Sequence, residues 1–118
     1  MWTGINKRKF PRYAIAIELN VALDERVTYV AVQTENIGVG GLCFLFDRYI
    51  DPFRLISLRM PLEDGRVPIE CNARVTWVVE KHAIDNSPTQ FDIGVEFLGL
   101  NREDQLRITN LIDKKKGE

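Results

Sequence analysis

The chain is poor in the residues that most enzymes use. Its 118 residues hold one histidine, His82, two cysteines, Cys43 and Cys71, and two serines, Ser57 and Ser87. His82 falls in a polar stretch between two strand-like segments, where an imidazole is normally solvated surface. Zinc requires three or four convergent Cys or His ligands. Only three such residues exist and two of them lie on strands, so no metal site is expected. Neither serine stands in a nucleophile-elbow context. Cys-His catalysis needs an exposed thiol, whereas the surrounding alternation buries Cys43 and Cys71. Carboxylates are plentiful, but nothing singles out an acid-base pair, so the chain reads as a protein that is not an enzyme.

Other absences narrow the setting. Apolar runs are a few residues long, far short of the ~20 that a membrane span requires. Met1-Trp2-Thr3-Gly4 does not open a secretory signal. Two cysteines are too few for a disulfide framework, and free thiols in a reducing compartment imply a cytoplasmic protein. The formal net charge is −1, so the whole molecule is not a polyanion binder. Charge is instead local. Four of the six residues from Lys7 to Arg12 are basic, and Lys114 to Lys116 form a second run. A basic cluster on a neutral protein suits a small anionic ligand better than a long duplex.

What is present in quantity is alternation. Tyr13, Ile15, Ile17, Leu19, Val21 and Leu23 are apolar, separated by small or polar residues, which predicts a half-buried strand. A second strand is expected from Val27 to Thr34, then a glycine-rich connection from Asn36 to Gly41 and a short strand from Leu42 to Phe46. Leu55 to Met60 is a further strand, ended by Pro61 and the turn Glu63-Asp64-Gly65-Arg66. From Val67 to Glu80, residues Val67, Ile69, Cys71, Ala73, Val75, Trp77 and Val79 share one face. Phe91, Ile93, Val95 and Phe97 make the last strand.

Only the tail reads as helical. Asn101 is a suitable N-cap, Glu103 and Asp104 fall in the first turn, and Ile108, Leu111 and Ile112 recur at helical spacing. The expected architecture is a single all-β domain over residues 1–118. It is a six-stranded antiparallel β-barrel with one C-terminal α-helix over 101–113 and a flexible basic arm over 1–12.

Two features stand out from this plain barrel. In the arm, Arg8 and Arg12 are four residues apart, and Pro11 biases the stretch toward an extended path. Four extended residues span up to ~13 Å, comparable with a dinucleotide. The planar fork of arginine pairs with phosphate or with the O6/N7 edge of guanine. The bland alternative is a solvated basic leader. The second feature is Asn36-Ile37-Gly38-Val39-Gly40-Gly41. It is either a tight corner whose glycines tolerate positive φ, or a place of close backbone approach where the Asn36 amide meets a base edge.

Taken together, an Arg-x-x-x-Arg arm followed some two dozen residues later by an Asn-x-Gly-x-x-Gly corner resembles a PilZ domain. That family is a six-stranded barrel that binds the bacterial second messenger cyclic di-GMP through an RxxxR loop and a [D/N]xSxxG turn. Val75-Thr76-Trp77 and Ile93-Gly94-Val95-Glu96-Phe97 add to the likeness, which runs from about residue 6 to residue 112. The resemblance implies that Arg8 and Arg12 contact phosphates and guanines, with Lys7 adding charge. It implies that Asn36 binds a guanine edge and that Gly41 keeps the turn shape. Trp77 becomes a candidate for base stacking, although the alternation places it on the core side. Gly38 stands where the family has serine, so one hydrogen bond is lost and weaker binding is implied. On that view Gly38→Ser would tighten it.

The function implied is a cyclic di-GMP receptor or adaptor in which ligand orders the arm and alters the surface shown to an unidentified downstream protein partner. No membrane insertion is expected. One alternative is a degenerate PilZ-like module that binds protein partners without nucleotide. Another, disfavoured, is a small barrel that binds single-stranded nucleic acid in a salt-dependent manner.

Overall fold

The computed structural model describes residues 11–23, 28–81 and 88–117. Its elements are β1 (Arg12–Tyr13), β2 (Glu18–Ala22), β3 (Val30–Gly38), β4 (Gly41–Phe46), β5 (Leu55–Met60), β6 (Ile69–Lys81), β7 (Gln90–Leu98) and α1 (Arg102–Lys116). Strands β3, β2, β5, β6, β7 and β4 are hydrogen-bonded in that order, and β4 returns to β3. All these pairings are antiparallel. The result is the expected closed six-stranded barrel, with β1 as a two-residue addition on β3.

The apolar stripe from Tyr13 to Leu23 does face inward, but not as one continuous strand. Arg12 pairs with Gly38 and Glu18 with Gln33, so the segment between them carries one residue more than β3 does. The Thr34 side chain spans this irregularity. Its hydroxyl accepts from the Ile17 amide at 2.9 Å and donates to the Ile15 carbonyl at 2.8 Å. Backbone groups that the sheet leaves unpaired are thereby satisfied, and Ile15 and Ile17 stay buried.

Two other expectations shift. The glycine-rich connection is mostly strand: β3 runs on to Gly38 and β4 begins at Gly41, so only Val39 and Gly40 make the turn. In β6 the alternation holds from Ile69 to Val75 and then breaks at a bulge between Val75 and Trp77. The extra residue, Thr76, reverses the faces beyond it. Val78 packs against the core while Val79 is 51% exposed. The core-side placement of Trp77 and Val79 is therefore corrected. Val67, expected on the same inward face, precedes the strand and is also exposed.

Helix α1 starts where its cap predicts. The Asn101 side chain accepts from the Asp104 amide at 2.7 Å. It extends to Lys116, beyond the expected end, with three lysines in the last turn where the helix dipole favours positive charge. Ile108, Leu111 and Ile112 join the barrel core, which is centred on fully buried Phe44, Leu19, Ile37, Leu58 and Ile93. Lys116 also reaches back to the start of the barrel, its Nζ 4.6 Å from the centre of the Tyr13 ring.

Candidate functional site

Strand alternation determines what the outer wall presents. Ile37, Leu42, Val95 and Val75 point into the core, so Asn36, Gly38, Gly41, Cys43, Gly94 and Glu96 point outward. Register aligns them. Across β3, β4, β7 and β6 runs a row of Asn36, Cys43, Gly94 and Trp77. Beside it, Arg12 lies opposite Gly38, and Gly41 lies opposite Glu96, which in turn faces Arg74. This stretch of wall has a floor of small residues with larger polar and aromatic groups around it.

The glycines serve close approach rather than backbone conformation. The positive-φ glycines among the described residues are Gly65 and Gly99, both elsewhere. A Cβ on Gly41 would lie 2.1 Å from the Val95 carbonyl oxygen and 2.9 Å from Nη2 of Arg12. One on Gly94 would lie 2.1 Å from Cε2 of Trp77. One on Gly38 would lie 2.2 Å from the Pro11 carbonyl oxygen and 3.2 Å from Cγ of Arg12. These gaps let the Arg12 side chain lie across the wall, where its Nη2 donates to the Val95 carbonyl at 3.1 Å. Gly38 is thus more than a missing hydroxyl, because its bare Cα is what admits the Pro11-Arg12 backbone. The tighter binding expected of Gly38→Ser meets a backbone collision in this conformation.

The polar groups differ in how well they are partnered. The Oδ1 of Asn36 is buried and accepts no hydrogen bond among the described residues, and the same holds for Oδ1 of Asp92. The Cys43 thiol, 3% exposed, donates to Oε1 of Glu35 at 3.4 Å. Burial first, and then the hydrogen bond to Glu35, push that thiol up to about 12, against a smaller opposing pull from the Arg12 charge. It stays protonated at neutral pH and is not an activated nucleophile. A hydrogen bond with Asp92, followed by burial, raises the Glu35 carboxyl above its ordinary value. Lys81 lies 3.5 Å from Asp92, and Arg74 pairs with Glu96 at 3.0 Å. The wall therefore combines a guanidinium, an open amide acceptor and an indole. Those groups suit phosphate, a donor-bearing base edge and a base face.

Five residues picked out from the sequence, Arg12, Asn36, Gly38, Gly41 and Trp77, come together on this wall. Gly41 does so as the first residue of β4 rather than as part of a turn. Arg12, assigned to the arm, is the first residue of β1. Lys7, Arg8 and His82 lie outside the described residues. Sequence reasoning overlooked Glu35 and Asp92, and it noted Gly94 only within the stretch Ile93-Gly94-Val95-Glu96-Phe97; Cys43 is buried, as expected. Cys43 is buried on the outer side of the wall, two residues beyond Gly41.

Comparison with known proteins agrees with this geometry. No curated protein sequence matches the chain. The barrel resembles the structure of the Bacillus subtilis inhibitor of motility MotI/DgrA, with a TM-score of 0.73 and 16% identity over 95% of this chain and 53% of that one. It also resembles the PilZ domain of YcgR from Escherichia coli with c-di-GMP, with a TM-score of 0.69 and 12% identity over 94% of this chain and 95% of that one. The Borreliella burgdorferi PlzA protein in complex with c-di-GMP is similar as well, with a TM-score of 0.63 and 12% identity over 97% of this chain and 54% of that one. The chain spans about half the length of MotI/DgrA and of PlzA. At these identities the structures attest the barrel alone, whereas the sequence model of the PilZ domain matches residues 6–114. By that match, over nearly its whole length, the chain belongs to the PilZ domain family.

Proposed function

We propose that this protein is a cytoplasmic cyclic di-GMP receptor or adaptor whose ligand lies on the outer wall between β1 and β6. Arg12, with Lys7 and Arg8 preceding it in sequence, supplies positive charge to the phosphates and guanines. Asn36 takes a guanine edge, Gly38 and Gly41 keep the floor low, and Trp77 offers a ring to a base. Binding of the dianion gathers the arm's mutually repelling charges and changes the surface presented to a downstream protein, as a ligand-ordered switch.

The observation that carries this reading is the convergence on one wall of Arg12, laid across Gly41, and the buried Asn36 acceptor that no described group satisfies. PilZ membership and the c-di-GMP named for YcgR and PlzA support the choice of ligand. Calorimetric titration with cyclic di-GMP tests it, with cyclic di-AMP and single-stranded oligonucleotides as controls. Saturable binding specific to cyclic di-GMP is expected. Its absence at hundreds of micromolar ligand would overturn the receptor reading in favour of a module that binds protein without nucleotide.

A further inference from the structure

The aromatic part of the wall is placed by two residues outside the RxxxR loop and the [D/N]xSxxG turn. Without the extra residue in β6, Trp77 would follow Val75 into the core. Thr76 is that residue, and its Oγ1 donates to the Gly94 carbonyl at 3.0 Å, which pins the bulge to β7. Gly94 is itself opposite Trp77. It lies between the core residues Ile93 and Val95 and so faces outward, yet it is buried. The indole covers it. A Cβ there would lie 2.1 Å from Cε2, 2.2 Å from Nε1 and 2.7 Å from Cζ2, which is contact with the face of the ring.

Bulge and glycine act in series. The bulge turns the side chain out of the core, and the missing side chain of Gly94 lets the ring lie down on the sheet. With a methyl at position 94 the indole would have to stand away from the wall. Two strands further across the same row is Asn36.

We propose that Gly94 and Thr76 are positioning residues that lay the Trp77 indole against the outer wall, so that its outward face is a stacking platform for a purine base of the ligand. The inference rests on the cyclic di-GMP reading of this wall and names how one part of it is built.

The test uses the full chain carrying Trp2→Phe, which leaves Trp77 as its one tryptophan. Cyclic di-GMP affinity and the thermal midpoint are measured for Trp77→Ala, Gly94→Ala, the double variant, Thr76→Val and Thr76→Ser, and ligand quenching of indole fluorescence for those that keep Trp77. Loss of the ring should weaken binding about ten-fold. Gly94→Ala should weaken it by a similar factor and diminish the quenching, yet cost at most about two-fold once the ring is gone. Thr76→Val should weaken binding, and Thr76→Ser, which keeps the hydroxyl, should restore it.

A folded Gly94→Ala protein with undiminished affinity and quenching overturns the proposal. So does a Gly94→Ala loss of equal size in the Trp77→Ala background, because the glycine would then be acting through the fold. If Gly94→Ala does not fold, the Thr76 pair decides, and equal affinities for its Val and Ser variants overturn the proposal. A parent protein that binds no cyclic di-GMP removes the receptor reading and this inference with it. That outcome is distinct from a parent that binds while its variants bind equally well.

Discussion

Two arginines at opposite ends of the chain are treated very differently by the fold. Arg107, on α1, is 7% exposed and every part of its guanidinium is used. Nε and Nη2 donate to the Asp64 carboxylate at 2.7 and 2.9 Å, Nη2 also donates to the Val67 carbonyl at 2.8 Å, and Nη1 lies 3.5 Å from Asp104. The pairing ties the helix to the turn between β5 and β6, and Arg66 reinforces it through Glu103. Arg12, on β1, lies over glycines on the same wall as Asn36, whose amide oxygen accepts nothing from the described residues. In the first region the guanidinium is taken up by partners within the fold. In the second, the Asn36 acceptor has no partner among the described residues, and it is there that the proposed ligand would donate.

The sharpest way to break this comparison is to truncate each arginine and see which property falls. Arg12→Ala removes charge-assisted contacts of up to ~3 kcal/mol, so cyclic di-GMP binding should weaken by about 30- to 100-fold. The urea midpoint should move little, because Arg12 lies on the outer wall. Arg107→Ala should do the reverse. It strands a carboxylate that still has some access to water, so unfolding free energy should drop by about 2 kcal/mol while affinity stays within about two-fold. Calorimetry and urea titration on both variants decide it. Equal loss of affinity from the two would mean that the site is not confined to one wall.

The contrast also shows what was legible in the sequence. The barrel could be read from alternation alone, and the helix from its cap, its acidic first turn and its three apolar residues. Arg12 of the arm and the glycine motif meet on one wall. The bulge at Thr76 could not be read, because Trp77 and Val78 are both apolar and either one can be placed inward without breaking the pattern. Cys43 could be read correctly as buried, but burial on the outer side could not be told from burial in the core, since a small apolar side chain looks the same in either place. Gly94 leaves no trace in a hydrophobic pattern, and its role depends on a partner that only the β6–β7 register supplies.

Gly38 is where the structure reverses a sequence-based expectation, and it gives a smaller, sharper test. The family resemblance implies that Gly38→Ser restores a hydroxyl and tightens binding. In the fold, a Cβ would sit 2.2 Å from the Pro11 carbonyl oxygen, a backbone atom that can move only if β1 shifts from β3. The expected outcome is therefore binding weaker by about three- to ten-fold, with a modest loss of stability, since a displaced Arg12 gives up part of its contribution. Tighter binding would instead show that the Pro11-Arg12 segment leaves β3 when the ligand arrives, which would make that pairing part of the switch.

The smallest effect concerns pH, and the two regions should respond with opposite sign. Hydrogen bonds from Arg107 hold the Asp64 carboxyl down to about 2, from an ordinary 3.8. Its folded value lies below its unfolded one, so its contribution is complete above about 3.8 and is lost as pH falls toward 2. Glu35 is shifted the other way, chiefly by its hydrogen bond with Asp92. Folding then favours its protonated form, so stability falls as pH rises from the ordinary 4.5 through the raised folded value. Urea titrations across this range should show a shallower acid-side loss in Asp64→Asn. In Glu35→Gln the decline on the other side should be shallower. Both groups are partly open to water, so each change should be small, and their opposite directions are what distinguish an anchored carboxylate from a crowded carboxyl pair beside the proposed binding wall.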